Sequence, residues 1–489
     1  MFKKKNFTTK ALIGILLLAF VFVSVGKISN NKVLASEKTF VKGKAPKYVF
    51  YFIGDGLGAA QRQAGEYYVH ETTGNKEFKL NMNTLPKVGI NTTHSADSLV
   101  TDSAAAGTAL ATGNKTNNGV ISKLPDGTDV KTLIEEAETK GMATGIVTST
   151  RLTHATPATF ASHNISRGNE NEIAVDYLDS GVDFFAGGGY RNFIPQSEEG
   201  SKRKDDRNLV EEFKNQGYKT FIGKESTKEF RDFKASDESK VFASFTSSHL
   251  PYEVDRKNTN ETPALAEIID TAIETLSKDE DGFFLMVEGG RIDHAGHAND
   301  LAGVIHDVLA FDEAINEALD FYKEHKDETL IVVVGDHETG GMGLGFGKNY
   351  FLKFDQLKYV KVSVEDTLQK IYNGNREEYL KYIEENFALN DLNEEELKEL
   401  NKAMDLVDNG QKDEKTYGYY NPVATATTHI LSKRANAYWT TFAHSGTQIP
   451  MSAIGVNAEA FEGFKDNIEI AKTMAEIMKF QLTEVNKAQ

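Results

Sequence analysis

Carboxylates and imidazoles recur in this sequence at spacings that suit a metal centre. In Glu288-Gly289-Gly290-Arg291-Ile292-Asp293-His294-Ala295-Gly296-His297, Asp293 and His297 stand four residues apart. On a helix they project from one face and can share one cation, with Glu288 a separate oxygen ligand upstream. The same spacing also fits an Asp293 that caps the helix beside two surface histidines. Asp336-His337 directly follows the apolar run Leu330–Val334, where a buried carboxylate and imidazole are costly unless they bind a metal or pair with charge. Asp55 sits in Ile53-Gly54-Asp55-Gly56-Leu57-Gly58 and His444 in Ala443-His444-Ser445-Gly446. Taken singly, the first also reads as a turn and the second as a structural histidine.

A nucleophile candidate accompanies them. In Thr101-Asp102-Ser103-Ala104-Ala105-Ala106-Gly107, Asp102 is a natural N-cap and Ser103 opens a helix of small residues. There the amides and the dipole favour an alkoxide or a phosphoryl group, although a plain capped helix fits the same residues. No Gly-x-Ser-x-Gly elbow surrounds Ser103 and no partner base is evident, so activation by a metal is expected. His154-Ala155-Thr156-Pro157-Ala158 adds a hydroxyl donor, and Arg167 can grip a phosphate through two parallel hydrogen bonds.

Positioning these groups requires a framework. The runs Tyr48–Ile53, Ala143–Thr148, Phe283–Val287 and Leu330–Val334 read as buried strands. They alternate with the amphipathic stretches Val130–Lys140, Pro263–Leu276 and Val304–Tyr322. That order predicts an α/β fold, a mostly parallel central sheet with helices on both faces. Each chemical cluster follows a strand, and ligands of open α/β sheets gather at the carboxyl ends of strands. Residues 347–435 read as a charged helical insertion and 196–239 as a smaller polar one. Lys3, Lys4 and Lys5, the apolar run Ala11–Val25 and Val33-Leu34-Ala35 read as a signal peptide over residues 1–35. The remainder, 36–489, is then the α/β domain, secreted or held in the cell envelope, with no stable membrane span after cleavage. Cysteine is absent and the net charge is −17, which excludes disulfides and argues against nucleic acid as a partner.

Six motifs occur here in order: Asp-Gly-x-Gly, Asp-Ser-Ala-Ala, His-Ala-Thr-Pro-Ala with a following Arg, Glu-Gly-x-x-Ile-Asp-His-x-x-His, Asp-His-Glu-Thr-Gly-Gly and a late His-Ser-Gly. Over nearly all of the chain, from about Lys47 to Phe480, the sequence resembles the bacterial alkaline phosphatases. The resemblance implies two Zn²⁺ and one Mg²⁺. One zinc would be held by Asp293, His297 and His444, and the second by Asp55, Asp336 and His337 beside a Ser103 alkoxide. Magnesium would take Asp55, Thr156 and Glu288. It further implies a homodimer and hydrolysis of phosphate monoesters, with broad specificity, through a phosphoserine on Ser103 with Arg167 on the phosphate. His154 and His294 stand where the best-known enteric form has Asp and Lys. His154 therefore opens the third site to zinc or cobalt. His294, losing its charge at alkaline pH, is expected to ease phosphate release.

Sibling activities are the nearest alternatives. Sulfatases of the superfamily use a Cys/Ser-x-Pro-x-Arg setting, whereas Ser103 is followed by alanines. Phosphodiesterase relatives usually have Thr as nucleophile and lack the Arg167 counterpart, and mutases of this type are cytoplasmic. An inactive extracellular phosphate- or metal-binding protein would lack a ligand or the nucleophile, and none is missing.

Overall fold

The structure, a computed structural model, describes residues 43–236 and 239–483. The signal peptide expected over residues 1–35 lies outside them. Among the described residues there are fourteen strands: β1 (Tyr48–Gly54), β2 (Lys87–Asn91), β3 (Ala143–Arg151), β4 (Phe184–Gly188), β5 (Tyr218–Ile222), β6 (Lys240–Ser244), β7 (Phe283–Gly289), β8 (Thr329–Gly335), β9 (Glu338–Thr339), β10 (Gly343–Leu344), β11 (Ala437–Tyr438), β12 (His444–Ser445), β13 (Ile449–Gly455) and β14 (Gly463–Lys465). Ten of them form one sheet in the order β14-β2-β13-β8-β1-β7-β3-β4-β6-β5. Only β13 runs against the others, pairing antiparallel with both β8 and β2.

The four apolar runs legible in the sequence are the four adjacent central strands, β8, β1, β7 and β3. Every residue of β1, β7 and β8 is buried, which is why they read as continuous apolar runs without alternation. Successive β1 residues serve opposite layers. Phe52 meets Phe311 of the helix Leu301–Glu324, with ring centroids 5.8 Å apart, while Tyr51 meets Phe160 of the helix Ala155–Ala161 at 6.0 Å. Helices therefore cover both faces of the sheet.

The stretch 196–239 differs from the expected insertion, because it supplies β5, which pairs parallel with β6 at the sheet edge. Its half-exposed Tyr-Lys-Thr-Phe-Ile pattern hides an edge strand among polar residues. Between β10 and β11 the chain is helical, with Arg376–Phe387, Glu394–Asp408 and Pro422–Ala435 the main helices. Among the described residues, none of the ten main-sheet strands comes from there. No described helix is long and apolar enough to cross a membrane.

Strand register does the positioning. Gly54 of β1 is level with Gly289 of β7 and with Gly335 of β8. Asp55 and Asp336, one residue beyond those glycines, consequently emerge side by side.

Candidate active site

Most of the chemical side chains leave one of these strand ends or a helix that follows one. Glu288 is in β7 itself, level with Thr148 of β3. Asp293 and His297 follow on the helix Arg291–His297, whose N-cap is Gly290, so Asp293 does not cap it. Gly56 permits the close fit between this helix and the Asp55 turn. It has φ +73°, and a Cβ on it would stand 2.7 Å from the Asp293 Cα. His444 arrives through a two-residue antiparallel ladder in which β12 pairs with β9, setting His444 opposite Thr339. Ser103 opens the helix Ser103–Thr112, capped by Asp102, whose carboxylate accepts from the Ala105 amide at 3.0 Å.

Three sets of donors result. In the first, His297 Nε2 and His444 Nε2 each lie 3.4 Å from Asp293 Oδ1 and 3.1 Å from one another. In the second, His337 Nε2 lies 3.3 Å from Asp55 Oδ1 and 3.2 Å from Asp336 Oδ2, with Ser103 Oγ 3.3 Å away. In the third, Asp55, His154 and Glu288 converge with ligand atoms within 4.8 Å of one another. There Thr156 Oγ1 donates to Asp55 Oδ2 at 3.4 Å, and the Thr148 and Thr150 hydroxyls donate to Glu288. Asp55 belongs to both the second and the third set.

Hydrogen bonding tests whether cations fit. His297 Nδ1 donates to the Phe442 carbonyl at 2.7 Å, and His444 Nδ1 donates to the Thr101 carbonyl at 2.8 Å. His337 Nδ1 lies 3.3 Å from the Thr339 hydroxyl, which itself donates to Asp293. Each ring thus holds its Nδ1 proton on an oxygen and leaves Nε2 facing carboxylates, the arrangement of metal-bound imidazoles. Asp55 Oδ1, Asp336 Oδ2 and Glu288 Oε1 are buried without a hydrogen-bond partner. The residues fit divalent cations.

Electrostatics agree. Burial, reinforced by neighbouring carboxylates, moves Asp55 and Asp336 above the usual range, and burial does the same to Glu288. Burial also holds His337 well below its usual value. For His444, burial is outweighed by Asp293, and the ring moves up. A stability prediction follows. Once the metal is stripped, the unfolded chain releases carboxyl protons above about pH 4 while these buried groups keep theirs, so stability falls as pH rises. Chelation should lower Tm more at pH 8 than at pH 5 in calorimetry; equal losses at the two pH values would contradict this assignment.

Arg167 and two histidines form the other wall. Arg167 donates to Asp102 Oδ2 at 3.0 Å and to His154 Nε2 at 3.1 Å. The ring centroids of His154 and His294 are 5.4 Å apart, and His249 lies 4.3 Å from His294. Sequence reasoning missed His249, which is in a loop after β6 and carries no motif. The structure also alters the reading of His294. Burial, then Arg291, brings it to about 4, so the ring is neutral through the neutral and alkaline range instead of losing charge there. Every residue singled out in the sequence for metal or phosphate belongs to this one connected cluster.

Comparison with known proteins agrees with the fold. Residues 46–480 match the family described as alkaline phosphatase. Alkaline phosphatase 3 of Bacillus subtilis is 36% identical, the match covering 98% of this chain and 99% of that one. The crystal structure of Thermus thermophilus alkaline phosphatase superposes with a TM-score of 0.78 at 29% identity, covering 91% of this chain and 94% of that one. A histidine-to-glutamate variant of the alkaline phosphatase from the Antarctic bacterium TAB5, with Mg bound in its M3 site, gives a TM-score of 0.62 at 30% identity and covers 90% of this chain and 100% of that one. The family match spans nearly all of the described residues, and the chain belongs to the alkaline phosphatase family.

Proposed function

We propose that this enzyme hydrolyses phosphate monoesters of broad structure through a phosphoserine on Ser103. The observation that carries the reading is the Ser103 hydroxyl at a helix N-terminus, 3.3 Å from His337 Nε2 and beside the paired carboxylates Asp55 and Asp336.

Asp293, His297 and His444 would hold one zinc; Asp55, Asp336 and His337 a second; and Asp55, Thr156 and Glu288 a magnesium. When bound, such ions supply positive charge to the attacking and leaving oxygens of an in-line displacement. The remaining work falls to the chain. Ser103 Oγ attacks phosphorus and the P–O bond to the alcohol breaks, leaving the phosphoryl group on serine at the helix N-terminus. Arg167, aimed by its ion pair with Asp102, donates to two phosphoryl oxygens. Water then attacks phosphorus, the Ser103 Oγ–P bond breaks, and phosphate leaves. His154 in the third set makes zinc or cobalt an alternative to magnesium. The TAB5 variant with Mg bound, in which a histidine was replaced, supports a link between histidine and metal choice at such a site.

Turnover of a nitrophenyl phosphate monoester should far exceed that of the matching diester and sulfate; a preference for either of those would replace this reading. Arg167→Ala should lower kcat/KM by about 10²-fold and weaken phosphate inhibition, with Arg167→Lys between, since one ammonium cannot make two parallel bonds. We further propose export through residues 1–35, a homodimer, and an insertion at 347–435. Sequencing the N-terminus of protein recovered outside the cell and sedimentation analysis test the first two.

A further inference from the structure

Arg291 belongs to none of the three donor sets, yet its side chain is 1% exposed and occupied on almost every side. Its guanidinium carbon lies 3.5 Å from the centroid of the Tyr252 ring. Its NH1 donates to Glu365 Oε2 at 3.2 Å and its NH2 to Asp366 Oδ1 at 2.7 Å. Tyr252 closes the cage, its hydroxyl donating to Glu365 Oε2 at 2.6 Å and its amide to Asp366 Oδ2 at 3.3 Å. The same NH1 lies 3.0 Å from His294 Nδ1.

A guanidinium can only donate. His294 Nδ1 must therefore accept, and the single ring proton sits on Nε2. That proton is on the side of the ring away from Arg291, and the ring itself lies beside His154, which Arg167 contacts. Without Arg291 the ring would be free to exchange tautomers or turn over, and its Nε2 would not be held as a donor. Arg291 in turn depends on two carboxylates from the helical region between β10 and β11, far from the motifs in the sequence.

We propose that Glu365 and Asp366 are positioning residues: they fix Arg291, which sets the tautomer and orientation of His294, so that His294 Nε2–H is presented to the phosphate held by Arg167. This rests on the phosphatase reading above. It makes the helical region part of the phosphate-binding apparatus, and it gives the Arg at the fourth position of Glu-Gly-Gly-Arg a function distinct from packing. Lysine would not substitute for Arg291, because one ammonium cannot address two carboxylates and an imidazole in a planar fork.

The test measures kcat and KM for nitrophenyl phosphate and Ki for inorganic phosphate on metal-loaded enzyme. The variants are Asp366→Asn, Glu365→Gln, His294→Ala and the double variant Asp366→Asn with His294→Ala. Both carboxylates are partly exposed, at 33% and 35%, so amide replacements should fold, and Tm and metal content verify it. Should Asp366→Asn unfold, Glu365→Gln gives the same readout. The expected result is a roughly five- to tenfold rise in Ki and KM for each single variant, without a proportional fall in kcat. Asp366→Asn should add less than about twofold once His294 is Ala. An unchanged Ki in both carboxylate variants, or the same rise in both backgrounds, overturns the proposal. An unchanged Ki in His294→Ala also overturns it, while the monoester preference would leave the phosphatase reading standing.

Discussion

Replacing Ser103 by Ala is expected to lower kcat on a nitrophenyl phosphate monoester by at least about 10⁴-fold, the scale on which enzymes lose turnover with their nucleophile. The chain around it should be little disturbed. Ala is a good helix former, the Asp102 cap does not use the Ser103 side chain, and the hydroxyl's hydrogen-bond partner among the described residues is His337 at 3.3 Å. Phosphate binding should survive, because Arg167 and its Asp102 partner are untouched. Two measurements check this. Steady-state kinetics should show the loss in kcat, and mass spectrometry after acid quench should find phosphate on the Ser103 peptide of the parent but not of the variant. Turnover retained above about one part in a hundred would mean that some other group attacks phosphorus, since loss of the nucleophile costs far more than that.

Asp55→Asn is expected to produce the second largest effect. Asp55 is shared by two donor sets and is completely buried among Asp336, His337, His154 and Glu288. The amide preserves shape but removes the charge that would neutralise both cations, and its NH₂ group brings donors where only acceptors are useful. A loss of about 10³-fold or more in kcat/KM should follow, with two metals missing from the purified protein instead of one. Glu288→Gln provides the contrast. It belongs only to the third set and should cost one metal, with the first two sets loaded. Full metal occupancy in Asp55→Asn would show that the two sets are independent of the shared carboxylate. At neutral pH the metal-free parent bears the cost of holding a buried Asp55 carboxyl protonated against an ionised unfolded chain, a cost that Asn lacks. Metal-free Asp55→Asn should therefore be at least as stable as the metal-free parent, although the loaded variant is less active. Scanning calorimetry on the chelated proteins reads that sign directly.

Much of the site was legible because its chemistry is tied to strand ends. Tyr48–Gly54, Ala143–Thr148, Phe283–Gly289 and Thr329–Gly335 are buried on both faces, so their apolar runs could be read without partners, and carboxylates and imidazoles follow closely. Edge strands carry no such signal. β5 is polar on its exposed side and passed for an insertion, and β9 and β12, two residues each, have no periodicity at all.

The order and types of the donors, the capped helix at Ser103 and the layering of the sheet were settled by local sequence, since each depends on a residue and its near neighbours. Tertiary structure alone decided which nitrogen of each histidine is free. That depends on carbonyls at Thr101 and Phe442 and on a guanidinium at Arg291, partners that only the folded chain brings within hydrogen-bond range. Proton placement on an imidazole is set by what stands on the ring's other side, and the sequence does not carry that information.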